Sequence, residues 1–169
     1  MKKIAVLVEN LFNEKELIYP YYRLLEDYDV DLVGSEKETA YKSENGVSIE
    51  SDLAASDINP DDYDGVFIPG GYSPDYMRRN KATVDFVRAL FEKGKPVGAI
   101  CHAGWMLAEA CDIRGKKLTS VASIRTDMEN AGANWVDEEV VVDGNIITGR
   151  GPKDLPAVIK AFVAELEKN

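Results

Sequence analysis

Pro96-Val97-Gly98-Ala99-Ile100-Cys101-His102-Ala103-Gly104 is the stretch that decides the fold. The apolar run ending at Ile100 reads as a buried strand, and Trp105-Met106-Leu107-Ala108-Glu109-Ala110 as the helix that follows. A strand that turns sharply into a helix with a nucleophilic residue at the corner is a nucleophile elbow. Here Cys stands in place of Ser, and Ala99 and Ala103 stand at the small flanking positions. Small flanks are needed because the corner residue sits in a strained conformation, often at positive φ, where bulky neighbours would clash. A thiol at a helix N-terminus also feels the positive end of the macrodipole, which favours the thiolate. The competing reading is that Cys101 is a small buried hydrophobe, as most free cysteines are.

Around this corner, strand and helix patterns alternate. Lys3 to Val8 reads as a buried strand, and Glu14 to Asp27 as a helix with Leu17, Ile18, Tyr21 and Leu24 on one face, bent at Pro20. Val30 to Val33 is a strand. Thr39 to Ser51 is a hairpin turned at Asn45-Gly46 in a type I′ turn. Asp52 to Ala55 is expected as a short helix, Asn59 to Asp62 as loop, and Val66 to Ile68 as a strand ending in Pro69-Gly70-Gly71. Asn80 caps a helix running to Glu92 and stopped by Gly94. A strand at Lys117 to Val121, a helix near Ile124 to Ala131, a hairpin turned at Asp143-Gly144 and a closing helix from Pro152 to Lys168 complete the chain. Alternation of this kind builds a flavodoxin-like α/β three-layer sandwich, a mostly parallel sheet with helices on both faces. Ligands in such folds sit beyond the carboxyl ends of the strands. That directs attention to Glu9–Glu16, to Pro69-Gly70-Gly71 and to Cys101.

The 169 residues are expected to form one domain, 1–169, with a full core. A net charge of −10 argues against nucleic acid or an anionic membrane as the main partner. The apolar start is too short for a targeting or membrane segment, so the cytoplasm is expected, and two cysteines agree with that compartment. Ten residues of strand corner and helix separate Cys101 from Cys111, which makes a disulfide between them a poor fit. Cys111 reads as packing, and no metal-ligand spacing or cofactor motif is present.

Each candidate at the three loops has two readings. Gly70-Gly71 is either a flexible turn or a backbone donor brought close because no Cβ intervenes; with the His102 amide it would then converge on one oxyanion. His102, the only histidine, is either a capping residue or the imidazole partner of Cys101. Glu16 either complements the helix N-terminus or points at Cys101. In the second case it must be protonated to sit beside a thiolate, so burial should raise its pKa while that of the thiol falls into the activated range.

With these residues in place, the chain resembles the PfpI family, the superfamily of intracellular cysteine peptidases and Parkinsonism-associated deglycases folded like a class I glutamine amidotransferase domain. The resemblance rests on Glu16-Leu17-Ile18-Tyr19-Pro20, Pro69-Gly70-Gly71, Gly94-Lys95-Pro96-Val97, Ala99-Ile100-Cys101-His102, Asp127-Met128-Glu129-Asn130-Ala131-Gly132, Asn134-Trp135-Val136-Asp137 and Val140-Val141-Val142-Asp143-Gly144-Asn145. It implies Cys101 as nucleophile, Glu16 as its carboxyl partner, and the Gly71 and His102 amides as oxyanion hole. In the peptidase branch an acid from a neighbouring subunit orients the histidine, and the matching position is Asp75, one methylene shorter. Tyr72, Val121 and Ala103-Gly104 depart from that branch, which has Arg, Tyr and Gly-Pro there.

Peptide hydrolysis depends on the constellation on which those departures fall. Addition of a thiolate to a small aldehyde needs only the thiol and a proton shuttle. The expected activity is therefore cysteine-dependent chemistry on reactive carbonyls, of glyoxalase or protein-deglycase type, without cofactor or metal. The alternatives are a peptidase or amidase built from Cys101, His102 and a neighbour's Asp75, and a non-enzymatic redox sensor or chaperone using an oxidisable thiolate. Expected partners are a small carbonyl or peptide substrate and further copies of the chain in a dimer or larger homo-oligomer.

Overall fold

The computed structural model describes residues 1–168; Asn169, the last residue of the expected domain, lies outside them. In chain order the elements are β1 (Lys3–Leu7), α1 (Glu14–Leu25), β2 (Asp29–Gly34), β3 (Ala40–Lys42), β4 (Ser48–Glu50), β5 (Leu53–Ala54), β6 (Gly65–Ile68), α2 (Ser73–Met77), α3 (Lys81–Glu92), β7 (Val97–Ile100), α4 (Gly104–Ala110), β8 (Lys117–Leu118), α5 (Arg125–Asn130), β9 (Asn134–Trp135), β10 (Val141–Asp143), β11 (Ile146–Gly149) and α6 (Leu155–Glu167). Seven strands form the main sheet in the order β10-β11-β7-β6-β1-β2-β5. Every neighbouring pair is parallel except β10 and β11. This is the flavodoxin-like arrangement that the alternating pattern predicts.

Strand alternation divides the core. Ala5 and Leu7 of β1 face one layer with Val66 and Ile68, packed against Phe86, Val87 and Leu90 of α3 and Met106 and Leu107 of α4. Ile4 and Val6 face the other with Phe67 and Ile147, against Leu17 and Leu24 of α1 and Val158, Ile159 and Phe162 of α6. Phe67 and Phe162 meet edge to face at 5.7 Å. Both are fully buried.

Several expectations fail for physical reasons. Residues 52–55 do not form a helix. Asp52 brackets Leu32 with two bonds, its N–H to the Leu32 carbonyl and its carboxylate from the Leu32 N–H, and this delivers Leu53–Ala54 as a strand beside β2. The β3–β4 turn is not type I′, since only Gly46 there has a positive φ (+87°); a Gly46 N–H to Ser43 carbonyl turn is followed by that left-handed glycine. The later hairpin turns one residue beyond expectation, at Gly144-Asn145, because Asp143 pairs with Ile146. Strand 117–121 shortens to β8, which pairs with β9 away from the main sheet, as the Thr119 N–H goes to the Thr148 hydroxyl and the Val121 N–H to the Cys101 carbonyl. Helix α1 continues through Pro20 without interruption. No helix of the described residues is long and apolar enough to cross a membrane.

Phe162→Ala removes a ring that fills the space between α6 and β6. The substitution is expected to destabilise the fold by about 3–5 kcal/mol, read as a lower urea midpoint at an unchanged slope.

Candidate active site

Strands β1, β6 and β7 are neighbours in the main sheet, so the loops at their carboxyl ends converge. Cys101 leaves β7 at φ +59°, a left-handed conformation that a non-glycine residue adopts only where the surroundings impose it. Ile100 before it is extended, and the 3₁₀ turn Cys101–Ala103 after it feeds α4. The side chain is half-buried and unpaired to any other cysteine, while Cys111 lies buried in the α3–α4 layer.

Helix α1 brings the carboxyl. Asn13 caps it, accepting the Lys15 and Glu16 N–H groups at 3.1 and 3.2 Å, and this places Glu16 in the first turn facing the sheet. Glu16 is wholly buried, and its Oε1 accepts the Gly70 N–H at 3.0 Å. Its Oε2 is buried with no hydrogen-bond partner among the described residues that meets ordinary geometry. Glycine is required at 70: a Cβ there would stand 2.5 Å from Glu16 Oε1, 2.9 Å from the Ile100 carbonyl and 3.0 Å from Cys101 Cβ. Gly71, at φ +72°, completes the turn.

Burial is the main cause that raises Glu16 to about 7; the Gly70 N–H and the Cys101 thiol act the other way, and the Glu44 charge adds to the rise. The upward direction agrees with what the sequence leads one to expect. For the thiol the expectation is corrected. Burial, and then the Glu16 charge, push Cys101 up to about 12, although the N–H groups of His102 and Gly71 both bear on the sulfur and lower it. The two groups compete for one negative charge, so a thiolate is favoured only when Glu16 holds the proton.

His102 Nδ1 lies 3.4 Å from Cys101 Sγ, and its ring packs against Trp105 at 5.0 Å. Burial lowers its pKa, so the imidazole is neutral at neutral pH. No carboxylate among the described residues hydrogen-bonds to it. Asp75 does not join the site within this chain: Arg78 and Arg79 of the following turn hold it at 2.8 and 2.5 Å, and they keep its carboxyl below the usual range. Tyr72 is exposed, edge-on to Tyr76 and Trp105, and Val121 touches the elbow through its backbone.

Two residues at this corner carried no sequence signal. Leu11, at φ +62°, donates its N–H to the Lys42 carbonyl and accepts the Tyr72 N–H, bracing the double-glycine turn. Glu44, at the tip of the β3–β4 hairpin, lies against Gly71. Both reach the site through long-range pairing that no local pattern encodes.

The Glu16 shift makes stability depend on pH. A carboxyl raised in the folded state favours folding fully below the unfolded value near 4.5 and loses that contribution as pH climbs through about 7. Glu16→Gln keeps the acceptor for Gly70 and cannot ionise. Its unfolding free energy relative to wild type is expected to rise by about 2–3 kcal/mol between pH 5 and pH 8 in urea melts; a difference constant with pH would contradict the assignment.

The sequence and the fold recur in known proteins. The family model described as DJ-1/PfpI matches residues 2–165. Deglycase PfpI of Pyrococcus furiosus is 42% identical over 165 residues, covering 98% of this chain and 99% of that protein. The solved two-domain protein of Anabaena variabilis, with DJ-1/ThiJ/PfpI-like and ferritin-like domains, superposes with a TM-score of 0.96 at 40% identity, over 99% of this chain and 48% of that one. Drosophila melanogaster DJ-1beta superposes with a TM-score of 0.88 at 28% identity, over 98% and 90%. With sequence and fold matched from one end to the other, the chain belongs to the DJ-1/PfpI family.

Proposed function

We propose that the protein is a cysteine-dependent enzyme acting on reactive carbonyls, of the glyoxalase or protein-deglycase type. The observation that supports this most is the wholly buried Glu16 carboxyl, held by the Gly70 N–H and electrostatically coupled to Cys101 at the elbow. The deglycase named among its relatives supports the same class.

In this reading Glu16, as carboxylate, takes the thiol proton while Sγ adds to the aldehyde carbon of a substrate such as methylglyoxal. The negative charge then moves to the former carbonyl oxygen, where the Gly71 and His102 N–H groups serve as donors. Glu16 returns its proton to that oxygen, giving a hemithioacetal. Moving a proton from the first to the second carbon gives a thioester, and water releases lactate and the free thiol. A carboxyl near pH 7 suits both halves of this exchange.

A second reading is favoured by the contact between Sγ and His102 Nδ1. As a peptidase or amidase, the enzyme would use the imidazole to protonate a leaving amine, with Asp75 of a second copy orienting the ring. That acid would first have to leave its two arginines.

Lactate release from methylglyoxal should disappear in Cys101→Ala, and unchanged release would reject the carbonyl reading. Glu16→Gln should lower kcat/KM by about 10²-fold or more and abolish the rise of the rate with pH through about 7.

A further inference from the structure

The β3–β4 hairpin brings one more charged group to the rim of this site. Its tip is fixed to the start of α1: Glu14 accepts from the Ser43 hydroxyl at 2.5 Å and from the Asn45 backbone and side-chain amides at 3.0 and 3.2 Å. The Glu44 N–H donates to the Phe12 carbonyl at 3.0 Å. The backbone of Glu44 is therefore held, and its side chain projects over the double-glycine turn. Glu44 Oε1 lies 2.7 Å from where a Cβ on Gly71 would stand, beside the peptide whose N–H bears on Cys101. Its carboxylate forms no ion pair with any cation among the described residues. On the opposite side, Arg78 stands 5.0 Å over the Trp105 ring, but its charge is met by Asp75.

We infer that Glu44 is a charge selector at the mouth of the Cys101 site, favouring cationic carbonyl compounds and disfavouring anionic ones. This rests on Cys101 being the reacting atom of the function proposed above. An unpaired carboxylate on a held backbone, next to the oxyanion donors, sets the sign of the potential through which a substrate must pass. Carbonyl adducts that retain an ammonium or guanidinium group are drawn in, and carbonyl compounds bearing a carboxylate or phosphate are repelled. The Glu44 charge also adds a smaller part to the rise that burial causes at Glu16. Glu44 touches none of the reacting atoms; its role is specificity.

The test uses modification of Cys101 by methanethiosulfonates, in which the thiolate displaces methanesulfinate and becomes a mixed disulfide. The rates are measured by intact mass for the cationic trimethylammonium-ethyl reagent and for the anionic sulfonato-ethyl reagent, with Cys101→Ala as the blank. The cation-to-anion rate ratio is expected to fall by about threefold or more in Glu44→Gln and further in Glu44→Lys. Glu26→Gln, with the same change in net charge at the far end of α1, should alter the ratio less than twofold. A ratio that moves no more in Glu44→Gln than in Glu26→Gln overturns the inference. Because no turnover is read, lactate release that persists in Cys101→Ala would remove the catalytic reading while leaving this comparison intact.

Discussion

One carboxyl in the wrong dielectric organises this molecule. Glu16 sits beneath the surface between α1 and the turn that ends β6, and its Oε1 satisfies the Gly70 N–H. An ionised carboxylate in such a place is costly, so the group holds its proton to about neutral pH and becomes a proton store beside a sulfur. Several local features serve that contact. Asn13 caps the helix so that the first turn faces inward, and residue 70 has no Cβ to displace the carboxyl. The elbow forces Cys101 into a left-handed conformation that turns its side chain toward the same point.

The thiol shows why helix termini and activated cysteines cannot be equated by position alone. The N–H groups of His102 at the elbow and of Gly71 at the double-glycine turn both bear on Sγ and lower its pKa; burial and a neighbouring carboxylate outweigh them. The dipole contribution at a helix end is of order 1 kcal/mol, less than the desolvation of a half-buried anion beside a second charge. In the proposed reaction, activation therefore depends on where a single proton resides, which couples the acid–base step to the nucleophile more tightly than a permanently lowered thiol would.

Around this pair the fold recruits groups from distant segments. The β3–β4 hairpin is docked onto the start of α1 through Glu14, and the strained Leu11 links that hairpin to the double-glycine turn. Strain at Leu11 and Cys101 on either side of Gly71 suits the proposed role of its N–H as a preorganised donor, since amides that must not rotate need neighbours that cannot relax. The site is thus held at the carboxyl ends of three adjacent strands by contacts among loops rather than by the strands alone.

The order of strands and helices, the elbow and the membership of its family are written locally in the chain. Apolar periodicity, small residues at 99 and 103, and Asn or Gly at helix ends act within a few residues of where they stand. Glu16, Gly71 and Cys101 could be named as partners because such folds bring strand ends together. Other outcomes were decided only in three dimensions. Asp75 was captured by Arg78 and Arg79 just past the end of its helix, Glu44 reached Gly71, Leu53–Ala54 became an edge strand, and the thiol's pKa rose instead of falling. Each of these depends on burial or on charge summed over segments far apart in the chain, and no local pattern of residues contains those sums.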